Sequence, residues 1–251
     1  MMNRAALSAV SALLLPGMAF AQGGPPLLTD DPETPEVKSW EINLAVTAEI
    51  SRDETHFEAP IADINYGFTD RIQLKYEVPW VISNTSGETS QSGFGQSIAG
   101  VKYRFLDKDK AGVAVSTYPQ ITFSSPVSDR LKNQNVDNNT GNVFLPIEVE
   151  QNIEKFELNE EVGYQLTNGQ TSQLAYGFAA TYPIHDGFVL LSELHGHTFR
   201  DFSDDELVMN IGTQAPLYAK MSALISVGRS LRDFQGAPSR YLAYIGMQFL
   251  L

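Results

Sequence analysis

The chain contains no cysteine among its 251 residues. Disulfides, a thiolate nucleophile and cysteine metal ligands are therefore excluded, and an exported chain of this size must hold itself by its hydrogen-bond ladder and packing. No stretch beyond residue 21 has 18 uninterrupted apolar residues, which excludes a helical membrane span. Basic residues are scarce: 17 Lys and Arg stand against 30 Asp and Glu, for a formal charge of −13. Nothing forms a basic stripe, so nucleic-acid binding is excluded. No segment resembles a nucleotide or redox site, and no cofactor is expected. The mean hydropathy of −0.16 is that of a soluble protein. It is equally that of a β-barrel, whose lumen and loops are polar while only alternate strand residues meet lipid.

The two ends of the chain point to export. Arg4, the apolar run Ala5 to Leu15, the break at Pro16-Gly17 and the Ala19-Phe20-Ala21 site read as a secretory signal over residues 1–21. Its removal takes away one arginine and no acid, leaving −14 on a mature chain starting near Gln22. At the other end, Tyr244-Ile245-Gly246-Met247-Gln248-Phe249-Leu250-Leu251 reads as a last strand with one apolar face. Tyr241, Ala243, Ile245, Met247, Phe249 and Leu251 share that side. The pattern resembles the C-terminal signal through which outer-membrane barrels engage the barrel-assembly machinery.

Between the ends the chain alternates with a period of two. Residues 22–36, with four prolines, read as a periplasmic arm before a barrel over 37–251. Trp40, Ile42, Leu44 and Val46 share one face, as do Ile72, Leu74, Tyr76, Val78 and Trp80, with Arg71, Gln73, Lys75 and Glu77 opposite. Similar segments run 99–105, 111–123, 143–150, 156–164, 174–182, 188–199, 206–214 and 218–229. Turns are expected at Thr69-Asp70, Asp107-Lys108-Asp109, Asn168-Gly169, His185-Asp186-Gly187 and Pro216, and loops over 84–95, 124–141 and 201–205. The count is about twelve strands, with short turns mostly on one side and long loops mostly on the other. The fold class is all-β: a transmembrane antiparallel up-and-down β-barrel. A soluble sandwich also alternates, but its strands run to ~5–6 residues, half the length of these segments. Trp40, Tyr66, Phe68, Tyr182 and Phe188 fall near segment ends, where an aromatic girdle belongs.

Three stretches carry a family resemblance: Thr29-Asp30-Asp31-Pro32-Glu33-Thr34-Pro35 with Trp40-Glu41-Ile42-Asn43-Leu44; Tyr66-Gly67-Phe68-Thr69-Asp70-Arg71-Ile72-Gln73-Leu74; and Asp186-Gly187-Phe188 with Ser192-Glu193-Leu194. They resemble the outer-membrane transporter family of the phenol-degradation meta-pathway type. The resemblance implies a barrel admitting small solutes, hydrophobic or aromatic ones among them. It implies no residue-level chemistry.

Alternation nominates the lumen lining: Arg71, Lys75, Glu77, Lys102, Arg104, Glu148, Glu150, Glu157, Glu161, Glu193, His195 and His197, with Glu41, Asp63, Lys220 and Arg229 also read as inward. Acids on segments six and seven against bases on three and four would set a transverse field across the lumen. The same residues equally suit a salt-bridged plug, because small barrels fill with side chains. Glu193, His195 and His197 share one strand face, a spacing open to metal ligation or base catalysis and equally to plain lumen polarity. Ser192 points to the opposite face from His195 and cannot serve as its nucleophile. No catalytic or metal residue is assigned. The acidic runs at 30–33 and 201–206 lack calcium-loop spacing and read as solvated loops. The expected function is passive diffusion of small solutes through an outer-membrane barrel, in contact with lipid. A lipid-acting barrel enzyme and a structural barrel without flux remain as alternatives.

Overall fold

The computed structural model describes residues 24–124, 141–185 and 187–251. The expected signal segment, most of the 124–141 loop and Asp186 of one expected turn lie outside the described residues. The strands are β1 (Trp40–Ile50), β2 (Glu54–Gly67), β3 (Ile72–Thr85), β4 (Gln91–Phe94), β5 (Gln96–Leu106), β6 (Val113–Thr117), β7 (Gln120–Ser124), β8 (Asn142–Ile153), β9 (Phe156–Thr167), β10 (Gln173–His185), β11 (Phe188–Phe199), β12 (Asp205–Tyr218), β13 (Met221–Arg232) and β14 (Tyr241–Leu250). One short helix, α1 (Lys108–Ala111), sits before β6.

Each stave pairs antiparallel with the next along the chain, and β1 closes the ring against β14 from Glu41↔Leu250 to Ile50↔Tyr241. The fourteen strands form twelve staves. β4 and β5 make one stave, interrupted at Gly95, and both pair with β3. β6 and β7 make another, interrupted at Tyr118-Pro119, and both pair with β8. Pro119 has no N–H to give the ladder, which accounts for the break. Closure answers a physical demand: an unpaired backbone group in hydrocarbon costs several kcal/mol, so a spanning sheet cannot keep an edge.

The burial pattern is inside-out relative to a soluble domain. Val162 (61% exposed), Ile245 (60%) and Ile211 (56%) project outward, while Glu148, Glu150 and Asn159 are fully buried inside. This is the alternation expected of a barrel set in lipid. Aromatic pairs Trp40–Tyr66 (4.6 Å between ring centroids), Phe156–Tyr182 (5.1 Å) and Tyr103–Phe105 (6.4 Å) ring the end that carries the short turns.

Several boundaries differ from expectation. The loop expected over 84–95 contains β4. The turn at 107–109 is a single helical turn closed by Gly112 in the left-handed region (φ 79°). The turn expected at Pro216 falls instead at residues 219–220. Pro216 stays in β12 next to a register shift, where a missing N–H is tolerated. The short turns lie at 68–71, 107–112, 154–155 and 219–220, with Gly187 between β10 and β11 on the same side. The 51–53 connection is short but lies at the other end with the longer loops.

Candidate functional site: the lumen and the arm that crosses it

Residues 24–36 enter the barrel from the short-turn end and cross the lumen. The tip is a compact turn: Gly24 N–H donates to Thr29 O (2.9 Å) and Leu27 N–H to Gly24 O (2.8 Å). Leu27 packs against Ala179, Val189 and Leu191. The Glu193 carboxylate accepts from the amides of Leu28 (2.9 Å) and Thr29 (2.8 Å) and from Asn210 Nδ2 (2.6 Å). Two staves further round the wall, Ser226 Oγ donates to Pro26 O (2.7 Å). Two glycines permit the approach. A Cβ on Gly177 would overlap the Thr29 side chain, and one on Gly67 would overlap the Glu36 carbonyl.

The arm's acids meet the wall's bases. Lys102, 2% exposed, pairs with Asp30 (2.8 Å) and Asp31 (3.9 Å) and donates to the Asp31 carbonyl. It also reaches Glu148 at 3.8 Å and lies 4.6 Å from the centre of the Tyr118 ring. Arg104 pairs with Glu33 (2.5 Å) and Asp107 (3.5 Å) and donates to the Asp70 carbonyl (2.8 Å). The acidic run at 30–33 is therefore not a solvated loop. Asp31 is 2% exposed, because the wall supplies the cations that make its burial tolerable.

The other nominated residues fall as follows. Lys75 bridges Asp63 (3.3 Å) and Glu77 (2.9 Å) inside the lumen. Glu148 accepts from Ser116, and Glu150 from Lys108, which also reaches Glu157 at 3.5 Å. Glu161 faces His195 (3.8 Å), and His197 faces Glu206 (3.0 Å). The two imidazoles meet edge to face at 5.1 Å. Among the described residues no group of three His, Asp or Glu side chains is arranged to hold a metal ion. Ser192 is exposed on the outer face while His195 is buried inside, as their parity requires.

Three nominated bases lie elsewhere. Arg71 sits at the short-turn rim, bonded to Asp107 at 2.5 Å. Asp107 there is held below the ordinary carboxylate range, first by the hydrogen bond from Lys110 and then by that from Arg71. Arg229 points outward, 5.9 Å from the Tyr241 ring, since its neighbours Gly228 and Ser230 take the inward positions. Lys220 lies in a turn.

The expected transverse field is also corrected. A single stave separates β5 from β8, and Lys102 reaches Glu148 past it, while Lys75 of β3 pairs with Asp63 and Glu77 on its other side. The facing arc is neutral: β13 and β14 turn Ser222, Leu224, Ser226, Gly228 and Ser230, then Leu242, Tyr244, Gly246 and Gln248, inward. Sequence reasoning missed the ligands of the arm, and it missed Tyr118 and Asn65, though it placed Gln73 on the inward parity. Gln73 Nε2 donates to Asn65 Oδ1 (2.7 Å) and Tyr118 Oη (3.0 Å). The matching spacing of Asp30, Asp31 and Glu33 with Lys102 and Arg104 was the available signal.

A closed twelve-stave antiparallel barrel with an apolar exterior and a polar interior defines an outer-membrane type of β-barrel. The chain belongs to the family described as "Putative MetA-pathway of phenol degradation", whose model matches residues 29–216. Among solved structures it is similar to an outer membrane channel from Pseudomonas putida F1, at TM-score 0.68 and 14% identity over 88% of this chain and 98% of that one. It is also similar to the KdgM porin (TM-score 0.58, 10% identity, 82% and 98% covered). A third similar structure is the CymD monoaromatic hydrocarbon channel (TM-score 0.52, 7% identity, 86% and 89% covered). No curated protein matches the sequence.

Proposed function

We infer that this protein is a passive outer-membrane channel for small solutes, hydrophobic and aromatic ones among them. The observation that carries the reading is a sealed wall whose interior is lined by ionic and amide side chains. A polar interior behind an apolar outer face is the arrangement of a barrel that admits solute. The family match and the likeness to channels and porins support it, and the monoaromatic hydrocarbon channel among them favours aromatic solutes. In this reading the chain is exported behind a cleaved signal over residues 1–21. It is inserted by the barrel-assembly machinery through β14 and contacts outer-membrane lipid along the apolar face. It performs no chemistry of its own. Residues 22–36 act as a periplasmic arm that narrows the lumen, so solute passes when the arm shifts.

Planar-bilayer recording of the purified chain tests this reading. Discrete conductance steps support it, and silent bilayers at every voltage contradict it. Glu148→Gln with Glu150→Gln should move the reversal potential toward anion preference, and an unchanged reversal potential removes the charged lining from the selectivity mechanism.

A further inference from the structure

The arm occupies the lumen in the manner of a ligand. Its three acids fall on a stretch of wall where two bases share an inward face: Lys102 and Arg104, two residues apart on β5 and about 7 Å between Cα atoms. Asp30 and Asp31 satisfy Lys102, and Glu33 satisfies Arg104. Without the arm, Lys102 keeps one carboxylate, Glu148, at 3.8 Å, and Arg104 keeps Asp107 at 3.5 Å and the Asp70 carbonyl. An ammonium carries three donors and a guanidinium five. Their burial then leaves charged donors facing an emptied cavity, a costly state unless an acceptor enters. The rest of the cavity is polar, with Glu41, Asp63 and Lys75 on its wall and Lys75 answering Asp63. The Tyr118 ring lies under the Lys102 ammonium, and Asn65 and Gln73 join the lining. Gly100, next to Lys102 on the same inward face, leaves room that the Tyr118 ring and Gln120 already approach.

We propose that Lys102 and Arg104 form a binding site for small organic carboxylates, and that Asp30, Asp31 and Glu33 of the arm fill it as a built-in competitor. The proposal rests on the channel reading and names a class of solute for it. Carboxylate and arm compete for the same two cations. A solute that binds them displaces the arm's anchors on β5, while Glu193 still holds the tip by the Leu28 and Thr29 amides. The apparent affinity for solute is lowered by the fraction of molecules whose arm is seated.

Isothermal titration calorimetry in detergent, with benzoate as probe and benzamide as its uncharged counterpart, tests the site without requiring flux. The full chain should bind benzoate weakly. Asp30→Asn with Asp31→Asn and Glu33→Gln should tighten benzoate binding about tenfold or more and leave benzamide unchanged. Adding Lys102→Met and Arg104→Met to that variant should abolish the gain. Folding is checked by heat-modifiable migration on gels. Should the triple variant fail to fold, Glu193→Gln loosens the tip without touching the cations and should raise benzoate affinity in the same direction. Benzoate binding no tighter in the triple variant, or in Glu193→Gln where that variant stands in, overturns the site. So does a gain that survives loss of both bases, or an equal gain for benzamide. Benzoate binding with silent bilayers keeps the site and removes the channel reading. An open channel without the affinity gain removes the site alone.

Discussion

The two arcs of the lumen wall solve the same problem in opposite ways. From β2 round to β11 the inward charges gather, on β2, β3, β5, β8, β9 and β11, and most are answered by a neighbour: Lys75 by Asp63 and Glu77, Lys102 by Asp30 and Glu148, Lys108 by Glu150. Along β13 and β14 the inward positions are small or uncharged, and single neutral bonds suffice, such as Gln214 to Gln248 (3.2 Å) and Ser226 to the arm (2.7 Å). The charged arc is expensive to build and fails badly when one partner is lost. The neutral arc is cheap and tolerant. The arm bridges them and is anchored ionically on one side and by a hydroxyl on the other. Removing a buried partner therefore costs far more on one arc than on the other, and substitutions can rank the difference.

The largest effect belongs to Lys102→Met. It strands Asp30, Asp31 and the fully buried Glu148 without their cation, and should cost about 3–5 kcal/mol in urea unfolding of the lipid-refolded protein. A loss under 1 kcal/mol would mean that water enters the charged arc freely. Glu193→Ala comes next. It leaves two arm amides and Asn210 without their acceptor, and should cost about 2–3 kcal/mol while making residues 24–33 accessible to protease. Ser226→Ala, on the neutral arc, should cost about 0.5–1.5 kcal/mol and leave the arm seated, because Glu193 and Lys102 still hold it. Asp107→Asn at the rim should have the smallest effect at neutral pH. The Asp107 carboxylate is held below its ordinary range, so its contribution is present above about pH 4 and disappears as the pH falls through the lowered value. The native chain should lose that increment on acidification, and the variant should have none to lose.

The fold was legible wherever one parity was plainly apolar. Ile72, Leu74, Tyr76, Val78 and Trp80 could only be a lipid face, and the run from Tyr241 to Phe249 only the closing stave. Legibility failed where the signal was weak or not local. On β13 the inward residues are Ser222, Ser226 and Ser230, too mild to mark the lumen, so the charge on Arg229 drew it to the wrong side. Pro216 and Pro119 exchanged roles. The first suggested a turn and lies within a strand end, while the second interrupts a stave that reads as continuous. Of the lumen lining, the places of Glu148, Glu150, Glu161 and Lys102 followed from parity, and that of Lys220 did not. The pairing of inward charges along one arc did not follow either, since it depends on which staves are neighbours after closure. The arm's place in the lumen was invisible for the same reason: its partners lie about 70 residues away on β5 and more than 160 away on β11.

Single-channel recording in planar bilayers, comparing the native chain with one lacking residues 24–33, tests the central claim most directly. A sealed, polar-lined cylinder obstructed by its own arm predicts small or infrequent conductance steps for the native chain and a larger, steadily open level once the arm is gone. Bilayers that stay silent with both proteins, although each migrates as a folded barrel, would contradict it.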